Sequence, residues 1–262
     1  MAGFTALVLA GTRPGGDPLA DYAGVSHKAL IDIDGVAMLE RVVVALAASP
    51  QVDRIVIAID RPEVLRALPG LQSDAVGKPV STMPTEDGPS ATVSSALARE
   101  ATPLLVTTAD HALLRPQWID DFLSVCPPDA DVVAALARRD VVEAAAPHTR
   151  RTWLRFSDGD FSGCNLFLLA GPGAAGPVSL WRELEAARKR PVHLMRRLGW
   201  LFALRYRLGR LSSARAAARL GELSGNACVA LVSLRDGRAA IDVDKPSDLD
   251  LVREMIATGR AA

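Results

Sequence analysis

Cysteine is scarce in this 262-residue chain: Cys126, Cys164 and Cys228 stand far apart, show no metal-like spacing and cannot all pair. The expectation is small apolar fillers in a reducing cytosol rather than a disulfide framework. Long apolar runs are absent as well, and no stretch approaches the roughly 20 residues a membrane-spanning helix needs. The N-terminus has no basic segment, and its apolar run from Phe4 to Ala10 is shorter than a signal peptide requires. Charge of one sign is missing too, with 30 Lys and Arg against 30 Asp and Glu. No global field therefore favours nucleic acid or an acidic partner. The glycine-bearing loop after the first apolar run is neither the GxxxxGK(S/T) of a P-loop nor the GxGxxG of a dinucleotide site. These absences lead to the expectation of a soluble, cytoplasmic protein.

What is present is a chain 49% hydrophobic, enough to bury one sizeable core. Apolar runs of strand length alternate with helix-period segments through the first half. The runs 4–10, 54–60, 79–84, 103–110 and 131–137 read as strands. Segments 36–49, 88–100 and 116–125 read as helices, with a short helix after Pro62. The second half offers strands at 153–156, 165–170, 227–234 and 239–244, and a closing helix over 246–257. Continuous Val/Ile/Leu strands alternating with helices imply an α/β fold: a mostly parallel, Rossmann-like sheet covered by helices on both faces. With no internal repeat or low-complexity linker, residues 1–262 read as one domain carrying a basic helical insertion at about 178–222.

In an open parallel sheet, ligands sit at the carboxyl ends of the strands, and four informative segments fall there. The first is LVLAGTRPGGDPLADYAGVSHKAL (7–30). Gly11, Gly15 and Gly16 permit close backbone approach to phosphate oxygens, and Arg13 and Lys28 add charge. Lysine is rare in this chain, which sets Lys28 apart. In TTADHALL (107–114), Asp110 follows an apolar strand, where it is either a turn former or a ligand for a hard cation. In IDVDKPSDL (241–249), Asp242 and Asp244 alternate on one expected strand and so share a face, where their charges repel unless a cation or a hydrogen-bond network offsets them. The fourth is TEDGPSATVSSAL (85–97), small residues at a helix entry that fit close approach by a base, ribose or phosphate.

Together these motifs resemble the nucleotidyltransferases of the MobA-like and sugar-phosphate nucleotidyltransferase kind. LAGTRPGGDPLADYAGVSHKALIDIDGVAMLERVV is similar to that family's opening signature, with Thr12 standing where a second glycine is usual. GPSATVSSAL resembles its base-proximal helix entry, LLVTTADHALL its strand-Asp metal motif, AIDVDKPSDLDL its late aspartate element, and SGCNLFLL (162–169) its acceptor-side Gly-Asn strand. The resemblance implies a GT-A type fold and an enzyme that moves NMP from an NTP to a small phosphorylated acceptor, releasing pyrophosphate. It implies that the Gly11–Gly16 backbone, Arg13 and Lys28 hold the triphosphate, and that Leu9, Ala10, Gly11, Thr12, Gly15 and Gly16 belong to the nucleotide-binding set. Gly88, Ser90 and Thr92 lie by the nucleotide, and Asn165 holds the acceptor. Mg²⁺ is implied on Asp110 and Asp244, with Asp242 in reserve.

Two other functions stay open on these residues: a GT-A type glycosyltransferase using a nucleotide-sugar donor, and a non-catalytic nucleotide-binding or membrane-associated protein. The arginine-rich stretch 180–222 has three readings. It is a basic amphipathic surface for anionic lipid, giving peripheral contact with the inner membrane surface through 190–215, or a lid whose arginines reach an acceptor phosphate. Otherwise it is a helical cover with solvated arginines.

Overall fold

Strand β1 (Phe4–Leu9) is buried on both faces, with Ala6 and Val8 in one core cluster and Leu7 in the opposite one. Apolar residues at every position, alternating between two cores, are what a central parallel strand requires. The computed structural model describes residues 3–12, 15–71, 73–100, 102–147, 149–187 and 190–260.

After β1 come helix α1 (Pro18–Tyr22), a small hairpin of β2 (Asp32–Ile33) and β3 (Val36–Ala37), and helix α2 (Met38–Ala48). Next follow β4 (Val52–Ala58), α3 (Ser73–Val76), β5 (Val80–Met83), α4 (Pro89–Arg99) and β6 (Leu104–Thr108). The chain continues through α5 (Pro116–Val125), β7 (Val132–Arg138), α6 (Arg139–Ala145), β8 (Leu154–Phe156) and β9 (Gly159–Leu169). Helices α7 (Ala175–Ala186), α8 (Pro191–Leu198), α9 (Trp200–Arg207) and α10 (Ser213–Leu223) precede β10 (Val229–Leu234) and α11 (Pro246–Ala257).

The main sheet runs β10-β7-β9-β6-β1-β4-β5, with β8 beside β9. Strands β6, β1, β4 and β5 are parallel neighbours, as are β10 and β7. Only β9, with β8 at its flank, breaks the pattern, lying antiparallel between β6 and β7. The expected mixed, mostly parallel sheet is therefore present. Because β9 runs backwards, its first residues lie at the same edge as the carboxyl ends of β6 and β7, with Phe161 opposite Arg138. Its ladder with β7 slips between the pairs Ala134–Phe167 and Leu136–Gly163, and Asn165 sits in the slip at φ 48°.

Three elements differ from the sequence expectation. Residues 239–244 form no strand: a 3-10 turn (Gly237–Ala240), started by the Asp236 side chain, leads into an extended segment. There the Val243 N–H bonds to the Asp110 carbonyl at 3.0 Å instead of joining a ladder. The segment after Pro62 is a 3-10 helix, Pro62–Ala67. Strand β9 starts at Gly159 rather than 165, since its polar opening GDFSGC carries no apolar run to reveal it.

Candidate active site

The carboxyl edge of the sheet is stitched together by backbone bonds. The Ala10 N–H donates to the Ala58 carbonyl (2.8 Å), and Ala109 N–H to the Leu9 carbonyl (2.9 Å). The loops after β1, β4 and β6 therefore leave the sheet in fixed relation. Gly11 presses against Thr85, where a Cβ would stand 2.8 Å from the threonine methyl, so only glycine fits without a shift. Gly15 and Gly16 hold φ of 96° and 101°, conformations that L side chains rarely adopt. Beside them opens a cavity of about 420 Å³, lined by Thr12, Gly15, Gly16, Ser26, His27 and Arg61 among others. Arg13 lies outside the described residues.

Thr12 is the anchor of this loop. Its N–H donates to Asp60 Oδ1 at 3.0 Å and its hydroxyl to Asp60 Oδ2 at 2.5 Å. His27, only 1% exposed, completes the cluster with Nε2 at 3.2 Å from Asp60 Oδ1. Its Nδ1 accepts the Ala29 N–H at 3.0 Å, which leaves Nε2 as the nitrogen that donates. Burial alone would raise the Asp60 carboxyl, but the bonds from Thr12 and His27 hold it below the usual carboxylate value.

Lys28 opens a 3-10 turn (Lys28–Leu30) for which the His27 side chain is the cap. Its ammonium reaches Asp110 Oδ2 at 2.9 Å and Asp244 Oδ1 at 3.5 Å. The other Asp110 oxygen accepts the Thr108 hydroxyl. Burial acts to raise the Asp110 carboxyl, but Lys28 and Thr108 outweigh it and keep the acid ionised. Burial likewise acts to lower the Lys28 ammonium, and Asp110, Asp244 and Asp17 raise it past its ordinary value. Two carboxylates from sequence-distant loops thus converge on one cation.

Asp242 is placed differently. Both its oxygens are used: Oδ1 pairs with Arg151, and Oδ2 accepts Asn165 Nδ2 at 2.8 Å. Burial raises its carboxyl, Arg151 opposes, and the charges of Asp110 and Asp244 add to the rise. Asp244 is the open member, with a side chain 57% exposed. His111 beside Asp110 is desolvated to a pKa of about 4 and stacks on Trp118, so it is neutral near pH 7.

At the entry to α4, Gly88 has φ 105°. Ser90 is 2% exposed, and its N–H (3.2 Å) and hydroxyl both donate to Glu185 from α7. The Thr92 hydroxyl donates to the Gly88 carbonyl at 3.0 Å and accepts the Glu86 N–H at 2.9 Å. Both side chains, expected beside a nucleotide, are engaged within the chain; the Gly88 backbone remains at the edge.

Sequence reasoning missed Asp60, His27, Arg151 and Glu185. Asp60 carried the same signal as Asp110, an aspartate directly after an apolar strand. Arg151 and Glu185 carried none, since each is one charge among many. Among the described residues, no group of three His, Cys, Asp or Glu side chains is arranged to hold a metal by itself.

Comparison with known proteins gives these features a context. A family described as the MobA-like NTP transferase domain matches residues 6–226. A hypothetical transferase from Thermus thermophilus is similar at 31% identity and TM-score 0.79, over 94% of this chain and 99% of that one. CMP:2-keto-3-deoxy-manno-octonic acid synthetase complexed with CTP shares the fold at 16% identity and TM-score 0.58, covering 98% of this chain and 100% of that one. The 4-diphosphocytidyl-2C-methyl-D-erythritol synthase of Anaerococcus prevotii shares it at 8% identity and TM-score 0.59, over 98% and 97%. No curated protein matches the chain significantly.

Proposed function

Because the chain belongs to the MobA-like NTP transferase family and is a nucleotidyltransferase, we propose that it transfers NMP from an NTP to a small phosphorylated acceptor and releases pyrophosphate. The acceptor is a sugar, polyol or lipid head-group phosphate. The observation that carries this reading is the convergence of Asp110 and Asp244 on Lys28, at the strand ends beside the Gly11–Gly16 loop.

In this mechanism, Gly11, Gly15 and Gly16 present backbone N–H groups to the triphosphate, and Lys28 adds a point charge. Arg13, in the same loop, is assigned a second charge. Leu9 and Ala10 fix the loop to β1, and Thr12 holds it to Asp60. The nucleoside lies against the Gly88 backbone, with Ser90 and Thr92 shaping the helix entry behind it. An acceptor phosphate oxygen, already anionic at neutral pH, bonds to the α-phosphorus as the bond to the bridging oxygen of the β-phosphate breaks. The electron pair leaves with pyrophosphate, and no proton moves. A general base is unnecessary, in accord with a His111 that is buried and neutral. Catalysis is positioning and charge neutralisation. Asn165, held by Asp242, orients the acceptor, and Arg151 supports Asp242 from behind.

The donor set fits Mg²⁺. Asp110 and Asp244 offer hard oxygens, and the exposure of Asp244 leaves room for phosphate and water, the partners Mg²⁺ prefers. Asp242, with both oxygens engaged, serves as support before ligand. When bound, Mg²⁺ would neutralise charge on the phosphates.

The test is pyrophosphate release from each NTP with Mg²⁺ and a panel of phosphorylated acceptors. Release should require acceptor, and Asp110→Asn should cut it on the order of 10²–10³, the cost of losing one electrostatic partner. Undiminished release from Asp110→Asn would remove that residue from the mechanism. Nucleoside diphosphate as the product would point instead to a glycosyltransferase.

A further inference from the structure

Residues 190–215 hold seven arginines and no aspartate or glutamate. Within them, α9 is fastened by one face. The Tyr206 hydroxyl accepts the Arg155 N–H of β8 at 3.2 Å, and its ring meets Phe156 edge-on at 6.0 Å. Just beyond the helix, Ser157 N–H donates to the Leu211 carbonyl, and the Ser213 N–H donates to Asp158 Oδ1 at 2.9 Å. With one inner face committed to the β8–β9 hairpin, the other faces outward.

That outer face is apolar. Trp200, Leu201, Leu204 and Leu208 are 60%, 61%, 52% and 56% exposed, together half of the large exposed hydrophobics of the described residues. At 3.6 residues per turn they fall within an arc of about 100°, one stripe down the helix. Arg205 and Arg207 project on either side of that stripe, and Arg196 and Arg210 are exposed at its two ends. Among the described residues, no acid pairs with any of these four arginines, whereas Arg197 close by is bonded to Glu183 at 2.8 Å. An apolar stripe edged by unpaired arginines is wrong for a solvated helix, where it costs apolar exposure, and wrong for a protein groove of neutral charge. It suits a surface that is apolar in its interior and anionic at its rim.

We propose that the α9 stripe docks this protein on an anionic lipid surface, the leucines and Trp200 entering the acyl boundary and the arginines meeting lipid phosphates. Among the described residues no helix is long and apolar enough to cross a membrane, so the proposed contact is a peripheral one. The β8–β9 hairpin that carries α9 projects from the carboxyl edge of the sheet, the edge that holds Asp110. Docking therefore brings that edge toward the bilayer.

The experiment is vesicle flotation of the full chain. Vesicles of phosphatidylcholine with about one third phosphatidylglycerol should carry the protein, and pure phosphatidylcholine should not. Raising salt should weaken the anionic binding, since exposed charges are screened. Arg205→Glu with Arg207→Glu, and separately Trp200→Ser with Leu204→Ser, should each lower partitioning more than about tenfold. All four residues are exposed, and circular dichroism checks that the variants are folded. As a readout on unmodified protein, brominated lipid should quench the emission of exposed Trp200. Equal flotation on neutral and anionic vesicles, or binding untouched by both double substitutions, overturns the proposal. So does a wild-type dimer that the Trp200/Leu204 variant turns into a monomer while no vesicle binding is seen, which would assign the stripe to a second copy of the chain.

Discussion

Thr12 stands where relatives of this kind usually carry a second glycine, and the structure gives it a task that glycine cannot perform. Its hydroxyl and N–H fasten the loop after β1 to Asp60, which His27 holds from the other side. Thr12→Val keeps the N–H bond and the volume but deletes the hydroxyl. It should raise the KM for NTP several-fold and leave kcat nearly unchanged, because a looser loop loses ground-state and transition-state binding alike; steady-state kinetics with varied NTP measures this. Asp60 also makes a prediction about acid. Its folded carboxyl titrates below the unfolded value, so it contributes stability above about pH 4 that is lost as pH falls through the folded value. Asp60→Asn should therefore be less stable than wild type at neutral pH, with the gap closing below about pH 4 in urea denaturation. A gap independent of pH would show that shape alone, not charge, matters there. Asp60 was legible in RIVIAID by the same rule that picked out Asp110. Its partnership with Thr12 was not, because it depends on β1 and β4 being parallel neighbours, a fact no local pattern encodes.

At the scale of elements, the strands and helices of the first half were readable because each obeys its own period and is buried as that period demands. The misreadings share a cause. AAIDVD alternates as a strand does, yet its N–H groups are claimed by Asp110 and the Asp236 turn before a ladder can form. The opening of β9 is polar and so was invisible. The entry to α4 shows the limit most clearly: small residues announced a helix start, but the side chain that occupies it, Glu185, arrives from α7. A carboxylate at a helix N-terminus, bonded to its first N–H groups, gains about 0.3–2 kcal/mol. Glu185→Ala should cost about 1 kcal/mol of unfolding free energy by that measure and by the loss of Ser90's acceptor. Glu185→Gln, which keeps an acceptor and drops the charge, should fall between. Urea titration of the three proteins orders them, and equal stability of the alanine and glutamine variants would assign the whole effect to the charge.

For the molecule as a whole, Lys28 is a cross-brace: one ammonium joins the loop after β1 to the end of β6 and to the segment before α11. A carboxylate pair brought together by folding must be neutralised by something, and in the free protein that something is Lys28. Lys28→Met leaves Asp110 and Asp244 facing each other, with Asp110 held in a largely dry site. Removing one partner of such a pair costs on the order of 3 kcal/mol. A divalent cation has the right charge and ligand preference to take the vacated place, and binding to the folded state alone adds stability by mass action. Thermal unfolding with chelator and then with millimolar Mg²⁺ should therefore show a larger cation-induced rise in Tm for Lys28→Met than for wild type. The rise should vanish in Lys28→Met combined with Asp110→Asn. An equal Mg²⁺ response in wild type and Lys28→Met would mean that the two carboxylates do not share a cation site. Pyrophosphate release would then have to be traced to some other arrangement of charge, because this reading rests on a single point where lysine, substrate phosphate and metal meet.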